Sequence, residues 1–319
     1  MVVLGALEFL WWAIVWALNI APAPRPFSYL AGAGVTFLIA LAVRLSFRRS
    51  VELPSKLGLV LGVLFVAGSA SLFLPLKFAI PKEIPFWLDV PLAAFERRAF
   101  GTDPWAISQA IFGAATPAID LIYAVWLPTQ LVVMFSVMLR PPSPAKSRAL
   151  TAYFLCWFVL GVAAAVAFSS VGPIFYDRLY GGSRFSGLGD ALRTRGATFA
   201  LTESDAMWVS YAKDRPGLIA GISAMPSLHV AISFWMILAA RSIAPRLTWL
   251  AVAYFLFVWI ASVHLGWHYL LDGAAGALGV LGIWVVAQPL ERRIAHGRTA
   301  RSGAINARLA PTENNLSRE

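Results

Sequence analysis

The sequence predicts an all-α, polytopic membrane helix bundle with about eight transmembrane helices. Mean hydropathy is +0.71, and 59% of the 319 residues are hydrophobic against 13% charged. Ordinary soluble domains carry nearly twice that share of charge. Apolar runs also recur at close to the roughly 20 residues that a helix needs to cross a hydrocarbon core of about 30 Å.

The runs fall at 4–20, 28–43, 57–76, 119–139, 149–170, 227–240, 247–266 and 270–288, the second and sixth being short. The first lacks a basic leader and carries Glu8, so it reads as a retained helix rather than a cleaved signal peptide. The connections "RLSFRRSVELPSK", "RPPSPAKSR" and "RSIAPR", with the tail from Glu291, hold about 15 of the 26 Lys and Arg. By the positive-inside rule this side is cytoplasmic. An even number of helices then leaves both termini in the cytoplasm, as expected for a multi-pass protein of the cell (inner or plasma) membrane. Residues 1–290 read as a single transmembrane catalytic domain and 291–319 as a basic, disordered tail.

Two connections on the other side are long. In 77–118 the stretch "PFWLDVPLAAFERRAFGTDPWAISQAIFG" repeats apolar residues at helical spacing among charges, the pattern of amphipathic helices at a membrane surface. The second, 171–225, is basic and Gly-rich and reads as an irregular loop over a site. The net charge of +10 follows these loops rather than one polar face, so it is a topology signal and predicts no nucleic-acid partner. Cys156, the single cysteine, excludes a disulfide framework and a thiolate metal site.

Three of the four histidines lie in "GISAMPSLHVAIS" and "ASVHLGWHYLLDGAAG". The topology puts His229 at the start of one helix, and His268 and Asp272 at the start of another, at the same extracytoplasmic face. In "HYLLD" the spacing of four sets the His268 and Asp272 side chains on one helical face. The carboxylate can keep one imidazole nitrogen protonated while the other acts as nucleophile or base. In "PSLH", Pro226 suits a first helical turn whose free amides can grip an anion. Ser227 adds a hydroxyl there, and His229 can give a proton to a departing oxygen. His264, His268 and Asp272 at i, i+4 and i+8 also invite a metal reading. No further carboxylate cluster supports one, so neither metal nor cofactor is expected, and His264 is taken as a neighbour of the site.

"AMPSLHVA" followed by "HLGWHYLLDGAAG" resembles the second and third signature motifs of the type-2 phosphatidic acid phosphatase superfamily. "GPIFYDRLYGG" and "FGTDPW" add weaker support. The resemblance implies a six-helix phosphatase-like core and metal-independent hydrolysis or transfer of phosphate esters, with a lipid phosphate or phospholipid as substrate. It implies that His268 forms a phosphohistidine, Asp272 orients it, His229 protonates the leaving alcohol and Ser227 holds phosphate. Leu228, where the phosphatases carry Gly, and the "HYLLD" form are more similar to the inositol phosphorylceramide synthase-related branch. That branch transfers a phosphoalcohol to a hydroxyl lipid.

The chain departs from the family at two places. Ser262 stands where an Arg is usual, and the first motif, Lys followed six residues later by Arg-Pro, is missing. A transferring phosphoryl group still requires positive charge, for which Arg178 is the first candidate, followed by Lys213 and Arg215. Hydrolysis of a lipid or polyprenyl phosphate stands as the alternative to transfer. A lipid transporter or lipid-binding protein is the alternative of another class, although the helix interiors are nearly free of the ionisable residues that ion-coupled pumps use.

Overall fold

The computed structural model describes residues 26–47, 55–214 and 221–288. The helix expected at 4–20, Arg215 and the tail 291–319 lie outside the described residues. Within them the chain is helical and contains no strand. Four stretches, Leu57–Glu83, Pro104–Ala124, Pro144–Ala167 and Pro245–His264, are long and apolar enough to cross a membrane, and shorter apolar helices cover Leu30–Ala42, Trp126–Met138, Leu228–Ile243 and Leu270–Val286. The chain is a polytopic helical membrane protein.

The first two elements are α1 (Pro26–Phe47) and α2 (Lys56–Glu83). With 28 residues, α2 is about 42 Å long, well beyond the hydrocarbon core. Lys77 lies about 32 Å along it, where a lysine can meet polar groups. Next comes α3 (Asp89–Phe100), which buries Asp89, Leu92, Ala93 and Glu96. These positions form one helical stripe in which two carboxylates lie beside two apolar side chains, while Val90, Phe95 and Phe100 are exposed.

The helix expected over 119–139 is divided. The chain runs through α4 (Pro104–Phe112), a 3-10 turn at Gly113–Ala115, α5 (Thr116–Ala124) and α6 (Trp126–Met138), with the break at Val125. Pro128 has no N–H to offer the carbonyl of Ala124, so the ladder stops and restarts. From Pro144, α7 (Pro144–Leu155) continues through a π-helical stretch, Cys156–Ala164, to Ala167.

The second long connection is mostly helical rather than irregular: α8 (Pro173–Tyr180), α9 (Ser186–Thr194) and α10 (Thr198–Ala212). Gly181 and Gly182 turn the chain after α8 and Gly196 after α9, all at positive φ, where a Cβ would be strained. Leu188 and Leu192 are fully covered, one turn apart on the inner face of α9.

The last three helices, α11 (Leu228–Ile243), α12 (Thr248–His264) and α13 (Leu270–Val286), form the centre. α11 packs on α6, α7, α12 and α13, and Val230, Ala231, Ile232 and Trp235 are fully buried. Glycines let α13 come close: a Cβ on Gly276 would stand 2.6 Å from the Ser227 carbonyl oxygen, and one on Gly273 would overlap the Trp259 ring. Such small-residue contacts let membrane helices approach. They bring the N-termini of α11 and α13 together at one end of the bundle, while Arg140, Arg241 and Arg246 stand near the connections of the other.

Candidate active site

His229 and His268 meet at this junction, with ring centroids 6.1 Å apart. His229 sits in the first turn of α11. Its imidazole is stacked on Tyr123 (centroids 4.9 Å, planes 16° apart) and leans on Trp126 at 4.1 Å. Trp126 in turn donates its indole N–H to Ser233 Oγ at 3.2 Å, and Ser233 donates to the His229 carbonyl at 2.8 Å. The general-acid candidate is thus held on two aromatic faces and through its own backbone.

His268 does not lie on a helix face. It precedes α13 in the turn after α12, where Gly266 has φ +75°, and its own amide donates to the Ser262 carbonyl at 3.3 Å. Asp272 is the third residue of α13, and its Oδ2 accepts the Tyr269 amide at 3.0 Å, closing the helix N-terminus. The same oxygen is 3.4 Å from His268 Nδ1. The spacing of four therefore works through helix capping, with the carboxylate fixed by the N-terminus it closes. Asp272 is fully buried, and its Oδ1 has no hydrogen-bond partner.

Ser227 is the N-cap of α11, with its Oγ 3.4 Å from the Val230 amide, and Pro226 stands one residue before it, after a cis Met225–Pro226 bond. The Ser227 amide donates to the Asp272 carbonyl at 3.0 Å, a backbone link between "PSLH" and "HYLLD". Fully buried, Ser227 shapes the turn that presents His229.

Of the three expected phosphate-binding cations, two lie among the described residues, and neither is in contact with His229 or His268. Arg178 pairs with Asp205 at 2.5 Å, Lys213 is exposed at the end of α10, and Arg215 lies outside the described residues. A cation that the motifs did not single out lies near the paired histidines. Lys77 is buried, its Nζ donates to the Gly161 carbonyl of the π-helical stretch at 3.3 Å, and it has no carboxylate partner among the described residues. It lies within electrostatic reach of both His229 and His268. A lone lysine in "FLPLKFAIP" is the signal that could have found it, because an ionisable group in an apolar helix marks function by default.

His264 points away from His268. The Thr116 hydroxyl gives its proton to the Gly113 carbonyl (2.8 Å), so it accepts from His264 Nε2–H at 2.9 Å. Nδ1 lies 2.9 Å from the Ser108 hydroxyl. The imidazole pins α4 and α5 to the end of α12, helped by the Gln109 side chain donating to the His264 carbonyl at 2.9 Å. Among the described residues no group of three or more His, Cys, Asp or Glu could hold a metal ion.

The surrounding segments carry a buried acidic layer. Asp89 accepts the amides of Val171 and Gly172 at 2.9 Å, and burial raises its carboxyl above the usual range. Glu96 accepts the Leu271 amide at 2.9 Å. Burial pushes its carboxyl up to about 7, with the charge of Asp272 acting in the same direction. Arg184 grips both oxygens of Asp103 at 2.5 and 2.6 Å, tying "FGTDPW" to the turn before α9. Asp120 accepts the Phe199 and Ala200 amides at the start of α10.

A family model described as the PAP2 superfamily matches residues 91–286, a span containing Ser227, His229, His268 and Asp272 but not Lys77. The chain belongs to the PAP2 superfamily. This PAP2 protein is accordingly a membrane enzyme of the phosphatase and phosphotransferase type, acting on lipid phosphoesters. Comparison with curated proteins and with solved structures returns no match. In α2, which lies outside the matched span, the PAP2 chain brings Lys77 to the paired histidines.

Proposed function

We propose that the protein breaks a lipid phosphoester by attack of His268 and passes the phosphorus-containing group to an alcohol, on the extracytoplasmic side of the membrane. The observation that carries this is the pairing of His229 and His268 at 6.1 Å, with Asp272 behind His268 Nδ1 and Lys77 close to both rings. Because Nδ1 faces the carboxylate, Nε2 is the attacking nitrogen. As the P–N bond forms, the P–O bond to the leaving alcohol breaks and that oxygen takes a proton from His229. His229, now neutral, accepts the proton of the incoming hydroxyl as its oxygen attacks phosphorus and His268 leaves. Lys77 balances the charge on the transferring group. Ser227 and Tyr123 hold His229 in place.

Two features of the sequence favour a phosphoalcohol, inositol-phosphate-like, as the transferred group and a hydroxyl lipid as the acceptor: the "HYLLD" form, and Leu228 where phosphatases carry Gly. Leu228 Cδ1 stands 2.8 Å from where a Cβ on Gly161 would lie, so the larger residue fills space beside the Lys77 contact. Purified protein is incubated with phosphoinositide, phosphatidic acid and polyprenyl phosphate donors, with and without a hydroxyl lipid, and the products are read by mass spectrometry. Acceptor-dependent formation of a phosphoalcohol lipid that is lost in His268→Ala supports transfer. Phosphate release indifferent to the acceptor makes the protein a phosphatase instead, and turnover retained by His268→Ala overturns the assignment of the nucleophile.

A further inference from the structure

A cavity lies within the bundle, away from the histidines. It has a volume of about 310 Å³ between α1, α2, α6 and α7, kept open by small residues such as Gly32, Ala33 and Ala70. That is the lower end of the range for small-molecule sites. Its walls are mostly aliphatic and aromatic, but three buried polar groups on them are unanswered: the Gln130 amide nitrogen, the Ser69 hydroxyl and the Trp157 indole N–H. Gln130 is fully buried. Tyr153 donates its hydroxyl to Gln130 Oε1 at 2.6 Å, which fixes the amide orientation and leaves Nε2 without an acceptor. Ser69 is buried, and its hydroxyl also has no partner, although Ser71 in the same helix bonds back to the Ala67 carbonyl at 2.9 Å.

Unpaired buried donors are costly and uncommon in folded proteins. The amide can only donate and a hydroxyl can do so, and a carbonyl oxygen with two lone pairs is the group that answers such donors. A plain hydrocarbon would fill the space and leave these donors unsatisfied. The cavity also lies along α2 from Lys77. Phe73 and Ser69 line it about 6 and 12 Å along α2 from Lys77. Trp157, on the opposite wall, packs edge-on against Phe73 at 5.0 Å and meets Trp126 at 6.2 Å, and Trp126 touches His229.

We propose that this cavity is the binding site for the acyl segment of the lipid substrate, with Gln130 Nε2 and Ser69 Oγ receiving an ester or amide carbonyl oxygen. The site rests on the proposed function for its link to catalysis. It selects acylated lipids over polyprenyl and ether-linked chains, which lack that oxygen.

Native mass spectrometry of the full chain in detergent, loaded with equal amounts of diacyl phosphatidic acid and its dialkyl ether analogue of matched chain length, tests this without turnover. Retention of the diacyl form over the ether form by about tenfold is expected, the effect of one satisfied buried donor. The ratio should fall several-fold in Ser69→Ala, which leaves the Gln130–Tyr153 bond intact, and approach one in Ser69→Ala combined with Gln130→Met. Equal retention of both lipids by the unaltered protein, or a preference unchanged in both variants, overturns the proposal. A preserved diacyl preference together with undiminished turnover by His268→Ala would leave the acyl site standing and remove the proposed mechanism.

Discussion

Replacing Lys77 with Met separates catalytic charge from structural role. Methionine keeps the length and the apolar stem and removes only the ammonium. Unit charges about 4 Å apart interact by about 4 kcal/mol at an effective dielectric of about 20, an upper figure for the attraction between Lys77 and a transferring phosphoryl group. Loss of one preorganised donor to such a group costs about 10²–10³ in rate, so kcat/KM on a lipid phosphate should fall by about that factor. Stability should move the other way. Lys77 is buried with one carbonyl as its hydrogen-bond acceptor and no carboxylate partner among the described residues, so the apolar variant relieves a desolvated charge. The paired assay is phosphate release or lipid transfer beside a thermal melt in detergent. A fall in rate of less than about threefold, with either outcome in the melt, would refute the role given to Lys77.

Glu96 and Gly276 give two further tests. The Glu96 carboxyl, raised by burial from 4.5 to about 7, holds its proton more tightly in the folded state. Stability from this group is therefore full below about pH 4.5 and lost as pH rises to about 7, by at most about 3 kcal/mol. Glu96→Gln should flatten that part of the melting temperature against pH curve, and an unchanged slope would remove Glu96 as its source. In Gly276→Ala the new Cβ would lie 2.6 Å from the Ser227 carbonyl oxygen, backbone that cannot swing aside. The helices must part, at about 1–3 kcal/mol, with a loss of turnover larger than the loss of folded protein; equal losses would mean that the spacing matters only for stability.

Local signals carried much of what the sequence made legible. The helical membrane class follows from hydropathy, and the pairing of "PSLH" with "HYLLD" follows from short connections between apolar helices. The break at Val125 was not legible, because apolar residues on both sides give the same hydropathy whether the helix is one piece or two. The connection 171–225 reads as loop because glycines that stop short helices look the same in sequence as glycines of an irregular segment. The spacing of His268 and Asp272 does bring ring and carboxylate together, but the carboxylate reaches the ring from a cap and not along a helical face. Arg178 looked available in sequence because its partner Asp205 is 27 residues away. Lys77 is nearly 200 residues from His268, a separation at which only packing brings two side chains together.

The amide of Ser227 bound to the carbonyl of Asp272 has a practical meaning for engineering. The bond belongs to the main chain, so no substitution other than proline at 227 removes it directly, and the two helix starts travel as one rigid part. In chimeras with other members of the superfamily, residues 225–231 and 268–276 should be exchanged together; either stretch moved alone would arrive with half of a joint.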